Sequence, residues 1–233
     1  MKTIRVFLAF STTLLLLIAS PAPALGVVEV HSVYLPIVSV PCPMPTLFTP
    51  DEGAQLDTLI PTFNFAVPIA GGVTGAGLEI SANPNFMPVE YSIGYFGGGG
   101  EFTWKLNYNL APATTYYWRA ETECGSSSQA YSEVRTFASG SGGVILPAPV
   151  LLSPSDGSTT DSNIVTFEWN PVVDAESYQL MYREEGSWWY LVELTDTQST
   201  RTLQPGKNYI WYVEAVNAYA VGVASEVWDF STP

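Results

Sequence analysis

Histidine, the side chain most often recruited to move protons near neutral pH, occurs once in this 233-residue chain, as His31 in VEVHSVYLPIVSVPCP. A single base on a segment that reads as a tether or an added edge strand leaves a Ser-His-Asp arrangement without its centre. Metal sites of the His/Cys kind are starved in the same way, because the only cysteines are Cys42 and Cys124. They are too far apart in sequence for the C-x-x-C spacing of a redox pair. Paired carboxylates could hydrolyse a glycoside, but among 22 acidic residues no pair stands out. Asp156, Asp161 and Asp174 lack the spacing of a calcium loop and read as turn formers. The Gly97 to Gly100 run, flanked by Tyr95 and Phe96, has no following lysine and helix, so it is not a phosphate cradle. The chain therefore reads as non-enzymatic, with no metal and no cofactor.

One cluster could bind rather than react. EEGSWWYLVEL sets Trp188, Trp189 and Tyr190 in succession, and strand alternation cannot bury all three. At least one large ring must face solvent unless a partner covers it. A carbohydrate-stacking site is the sharp reading of these three residues, and packing between domains or protection of a sheet edge is the plain one.

The elements that position this cluster follow from a repeat. LAPATTYYW at 110–118 and LQPGKNYIW at 203–211 share a Leu-x-Pro-x-x-x-Tyr-x-Trp frame at an offset of 93. PTLFTPDEG at 45–53 parallels PVLLSPSDG at 149–157, and PTFNF parallels VTFEW, at an offset of 104. SEVRTF and SEVWDF return to 93. The shrinking offset means that the first copy carries extra residues in its middle, and the Gly97 to Gly100 run is the expected place for them. Two domains are expected, at 45–138 and 147–232. They are separated by a Gly/Ser linker at 139–146 and preceded by a segment 25–44 that includes Val33–Val38.

Within each copy the apolar period is two, broken by turn residues every eight to twelve positions, as in short antiparallel strands of a sandwich. Val165, Phe167 and Trp169 share one face; so do Tyr178, Leu180 and Tyr182, opposite Gln179 and Arg183; so do Tyr209, Trp211, Val213 and Ala215. The expected core is Phe63, Phe65, Trp118, Phe167, Trp169, Tyr178, Leu180, Tyr182 and Trp211. The repeated frame then has a structural purpose. A buried tyrosine near the start of a late strand sends its hydroxyl back to the preceding corner, which satisfies a polar group that would otherwise cost stability. Tyr116 and Tyr209 are the corner tyrosines, and Leu110 with Pro112 and Leu203 with Pro205 shape the corners.

The start MKTIRVFLAFSTTLLLLIASPAPALG has a short basic end, an apolar stretch and an A-x-A ending at Ala24. Residues 1–24 read as a signal peptide, which predicts a secreted or extracellular cell-surface protein. No later stretch is long enough to span a membrane. With 22 acidic against 8 basic residues the net charge is −14, a surface that repels phosphate backbones and excludes nucleic acid as a partner.

On these residues the second copy, with VTFEWNPV, AESYQLMYR, LQPGKNYIWYVEAVN and GVASEVWDF, resembles a fibronectin type III domain over nearly its full length. Trp169 sits where that family has its early core tryptophan, Tyr178 and Tyr182 fit its third strand, and Asn217 with Ser225 fit the turn into its last. The first copy departs: Phe65 replaces the tryptophan, Leu78 takes the third-strand tyrosine position, and LEISANPNF is closer to divergent repeats of bacterial surface and secreted proteins. The resemblance implies an all-β chain of two tandem seven-stranded antiparallel sandwiches. It also implies that the approach to the first strand and the end of the sixth share a pole, with Cys124 in the place of Asn217. A Cys42–Cys124 disulfide is therefore expected, worth roughly 4 kcal/mol by loop entropy. The function implied is extracellular binding, adhesion or spacing, with a protein or polysaccharide as partner; the alternative is a carbohydrate-binding accessory protein using Trp188, Trp189 and Tyr190.

Overall fold

A computed structural model describes residues 41–69, 72–125 and 128–233, without the side chains of Tyr95 and Phe96. The signal segment, His31 and Val33–Val38 lie outside the described residues, which form one compact unit from Pro41 to Pro233.

Every regular element among the described residues is a strand. The first module contains β1 (Thr46–Thr49), β2 (Ala54–Gln55), β3 (Thr62–Val67), β4 (Val73–Ser81), β5 (Tyr91–Phe96), β6 (Gly100–Lys105), β7 (Thr115–Cys124), β8 (Ser128–Tyr131) and β9 (Arg135–Ala138). The second contains β10 (Leu151–Ser153), β11 (Ser158–Thr159), β12 (Ile164–Trp169), β13 (Ser177–Glu184), β14 (Tyr190–Leu194), β15 (Gln198–Thr202), β16 (Asn208–Val216), β17 (Val221–Ala224) and β18 (Trp228–Ser231). In each module a three-stranded sheet, β1-β3-β6 or β10-β12-β15, faces a larger one, β2-β9-β7-β4-β5 or β11-β18-β16-β13-β14, with β8 on β7 and β17 on β16.

Seven strands were expected per module; the surplus arises because the first and last strands are each broken. After Pro50 and Pro154 the chain leaves one sheet and pairs parallel to the last strand of the other, as β2 on β9 and β11 on β18. The last strand is interrupted where the Ser132 hydroxyl accepts the Ala120 N–H and the Ser225 hydroxyl accepts the Val213 N–H, both at 3.0 Å. Each serine replaces a ladder bond with a side-chain bond, so the strand bends without leaving a buried donor unpaired.

The two cores repeat one aromatic arrangement. Phe63 meets Trp118 edge-on at 5.0 Å and Phe137 at 5.6 Å; Phe167 meets Trp211 at 5.1 Å and Phe230 at 5.8 Å. Tyr116 stacks on Phe137 as Tyr209 stacks on Phe230. Phe65, Trp169, Tyr178 and Leu180 are buried with them. Tyr182 is not: it is half-buried at the margin, tilted against Phe167 and stacked on Tyr190. Its inward parity holds, but its partner across the ladder is the exposed Tyr190 of the edge strand β14. Leu78 also sits elsewhere than expected. It lies opposite Ala120 as Leu180 lies opposite Val213, so it answers a leucine and not a tyrosine.

The extra length of the first module is spread over several places, the glycine run among them. Across that run Ile93 and Trp104 are 11 positions apart, where their counterparts Val192 and Ser199 are seven apart. Two longer loops add to it, 82–90 against 185–189 and 106–114 against 203–207. Both insertions are structured: Phe86 in the first is buried over Arg119, and Asn109 in the second reaches the other module.

Candidate functional site

The two corners have the same geometry. The Tyr116 hydroxyl accepts the Ala111 N–H at 3.0 Å, and the Tyr209 hydroxyl accepts the Gln204 N–H at 3.0 Å. Leu110 and Leu203 are buried beside them, while Pro112 and Pro205 are exposed at the turn. The following residue pair is repeated too. Ser139 donates to the Ala111 carbonyl at 2.6 Å and Thr232 to the Gln204 carbonyl at 2.7 Å, each closing its module against its own corner. Ser139 is thus the last residue of the first sandwich in structural terms.

Cys42 and Cys124 form a disulfide with their Cα atoms 5.7 Å apart, within the usual span. It ties the approach to β1 to the end of β7. At the matching place in the second module Asn217 does the tying: its Oδ1 accepts the N–H groups of Tyr219 and Ala220, and its Nδ2 donates to the Val144 carbonyl at 2.8 Å.

The segment 139–146, expected from its glycine and serine content to be a linker, is packed. Gly140 accepts from Ala113 N–H and donates to the Thr58 carbonyl, and a Cβ there would collide with the Asp57 backbone. Gly143 has φ +53° and lies against the Tyr219 ring. Leu146 is buried in the second core. Glycine serves close approach in this segment, a use that composition cannot distinguish from flexibility.

Around this segment the modules are directly bonded. Asn109 Nδ2 donates to the Val221 carbonyl at 2.7 Å and its Oδ1 accepts the Val221 N–H at 2.8 Å, as a strand neighbour would. Leu59 N–H and the Thr58 hydroxyl both donate to the Tyr219 carbonyl. Val216 and Val221 are buried in the same apolar cluster as Phe63 and Trp118. Neither Asn109 nor Tyr219 stands out in the sequence; the only pointer is that Asn109 falls where the repeat offset shrinks.

Among the described residues no group of histidine, cysteine and acid could hold a metal ion. Asp156 accepts the Asp229 N–H at 3.0 Å, and Glu52 accepts the Thr136 N–H and hydroxyl at the equivalent place in the first module. The Thr136 backbone bond, followed by its side-chain bond, holds the Glu52 carboxyl below its usual range. Asp174 has φ 64°, a turn conformation, and Asp161 lies exposed in a bend.

What remains is the surface built by β13, β14 and β16. Trp188 is 91% exposed and Tyr190 58%, while Trp189 and Leu191 are each 37% exposed. The register explains the difference. Tyr190, Val192 and Leu194 lie opposite Tyr182, Leu180 and Tyr178 and continue the core face; Leu191 and Glu193 lie opposite Met181 and Gln179 on the outer face. Trp189, in the turn before β14, packs on that outer face, edge-on to Tyr212 at 5.2 Å, with the Arg183 guanidinium 4.6 Å from its centre. Trp188 and Trp189 therefore do not form a flat pair: one ring is engaged and the other projects. Beside them, burial pushes the Glu214 carboxyl and the Tyr212 hydroxyl up. The corresponding face of the first module is closed instead. There Arg119 lies between Phe86 at 4.2 Å and Tyr131 at 3.8 Å and bonds Glu79 at 2.7 Å.

No protein-family model matches the chain, and no curated protein matches it. Among solved structures it is similar to a crystal structure of chicken CNTN1 FN1-FN3 domains, at 16% identity, with 83% of this chain and 68% of that one covered and a TM-score of 0.35. At that TM-score the likeness bears on neither family nor function; the two-sandwich architecture rests on the strand pairing itself.

Proposed function

We propose that the chain is a non-enzymatic extracellular binding, adhesion or spacer protein made of two fibronectin type III-like modules, secreted or held at the cell surface. The observation that carries this reading is the junction. Asn109, Thr58 and Leu59 of one sandwich bond the Val221 and Tyr219 backbone of the other, and a shared apolar cluster backs them. Such a junction holds the two sandwiches at a fixed spacing, which suits a spacer or adhesin. The disulfide fits an oxidising compartment, and the acidic surface fits an extracellular protein better than one that binds nucleic acid.

The test is capture from the native cell surface by the immobilised mature protein, with hydrolysis of glycosides and esters assayed in parallel. Specific retention without hydrolysis supports the reading; hydrolysis lost on substituting one carboxylate refutes it. Carbohydrate binding is the second reading, favoured by the exposure of Trp188 and Tyr190. Tryptophan fluorescence on titration with a polysaccharide panel tests it, and no shift with any polysaccharide removes it.

A further inference from the structure

The free edges of the described sheets differ in how they are defended. Sheet edges are normally blunted by shortness, bulges, proline, lysine or inward-pointing charge, because unpaired backbone groups recruit other chains. β2 and β11 are two residues long; β1, β10 and β17 shift register against their neighbours. β15 turns Arg201 inward opposite Val165, and β6 ends on exposed Lys105. β5 also holds regular register without proline or charge, with Ser92 and Gly94 exposed among its described side chains, and β8 begins on exposed Ser128 and Gln129. β14 is likewise without proline, lysine, a bulge or an inward charge, and it differs from β5 in carrying an outward carboxylate, Glu193, beside exposed aromatic rings. Tyr190–Leu194 holds regular register with β13 across all five residues, contains no proline or basic residue, and has no strand on its other side.

We propose that the free edge of β14 is a strand-addition site for an extended segment of a basic, amphipathic partner. Alternate residues of β14 turn their N–H and C=O away from β13, ready for a new ladder. On the core face an added strand would lie beside Tyr190, Val192 and Leu194, which calls for apolar residues to cover the half-exposed tyrosine. On the outer face it would lie beside Leu191 and Glu193, with Glu214 beyond Gln179, Glu185 in the adjoining hairpin and Trp188 projecting nearby. That face calls for lysine or arginine, through cross-strand ion pairs and a cation over the indole. The basic groups already nearby are engaged: Arg183 lies on Trp189, and Lys207 is paired with Glu184. A second copy of this chain would bring Glu193 and a −14 chain against themselves, so the charge favours a foreign strand.

This inference rests on the binding-module reading and adds the chemistry of the partner. The test titrates the whole mature protein with an acetylated nonapeptide of alternating lysine and valine, followed by tryptophan fluorescence and by amide hydrogen exchange. The expected result is saturable binding with slowed exchange at alternate amides of 190–194. A glutamate–valine counterpart should not bind, and the Leu191→Lys/Glu193→Lys variant should bind at least about tenfold more weakly with an unchanged Tm. Protection elsewhere than β14, equal binding of both peptides, or wild-type affinity in the variant overturns it. So does a β14-dependent dimer in sedimentation, which would make the occupant a second copy. Surface capture that those two substitutions leave unchanged refutes strand addition alone, with the module reading intact.

Discussion

Replacing Tyr209 by Phe removes one oxygen from a residue that is otherwise enclosed, and the structure sets the size of the effect. The hydroxyl is the acceptor for the Gln204 N–H at 3.0 Å, and the ring is 4% exposed and stacked on Phe230. Phenylalanine keeps the stacking, so the loss isolates the unpaired donor, which costs about 1–3 kcal/mol. Tyr116→Phe should cost at least as much, because Ala111 is bonded at the same distance, Phe137 stacks in the same way and the hydroxyl also meets the Glu90 carboxyl. Tyr190→Phe is the control, being 58% exposed, and should change stability by less than about 0.5 kcal/mol. The assay is urea unfolding of the disulfide-intact protein, with calorimetry as the check. If the modules melt together, each kcal/mol lowers Tm by about 2–4 °C; if they melt alone, by about 4–8 °C. A corner variant as stable as the Tyr190 control would refute the claim that the repeated frame is a structural clamp.

Two further predictions follow from the clamp and from the outer sheet face. Removing the disulfide as Cys42→Ser with Cys124→Ser reopens a loop of sequence separation 82 and should cost about 4 kcal/mol, read as a lower urea midpoint that reductant does not lower further. Burial raises the pKa of Glu214, so the fold binds its proton more tightly than the unfolded chain does. Its contribution is complete below the ordinary carboxylate range and is lost as pH rises through the raised value. Glu214→Gln should therefore raise Tm relative to the parent at about pH 7 and lose that advantage towards about pH 4, in thermal scans at both.

The architecture is legible in the sequence wherever burial is local. Val165, Phe167 and Trp169 alternate against Thr166 and Glu168, and β12 buries the first set because a strand has only two faces. The same parity places Phe63 and Phe65. Parity reports the face Tyr182 points to and not what covers it: its ladder partner is the exposed Tyr190 of the edge strand β14, and it is only half buried. Composition fails at 139–146, since glycine allows either mobility or a backbone approach, and only the neighbours, Asp57 and Tyr219, decide which. The aromatic surface is legible to the extent that three successive rings on a strand cannot all be hidden. Which of them is engaged depends on Tyr212 and Arg183, brought together by pairing across β13 and β16. Asn109 is the least legible residue: its role lies in two bonds to a backbone 112 positions away, and asparagine in a loop has many cheaper explanations.

The central claim is that the two sandwiches move as one body. Residual dipolar couplings measured on the backbone amides of both modules in a single alignment medium test it directly. The account predicts that one alignment tensor fits both modules of the native chain, and that Asn109→Ala, which strips both bonds from Val221, splits it into two of unequal magnitude. Two independent tensors in the native protein would contradict it.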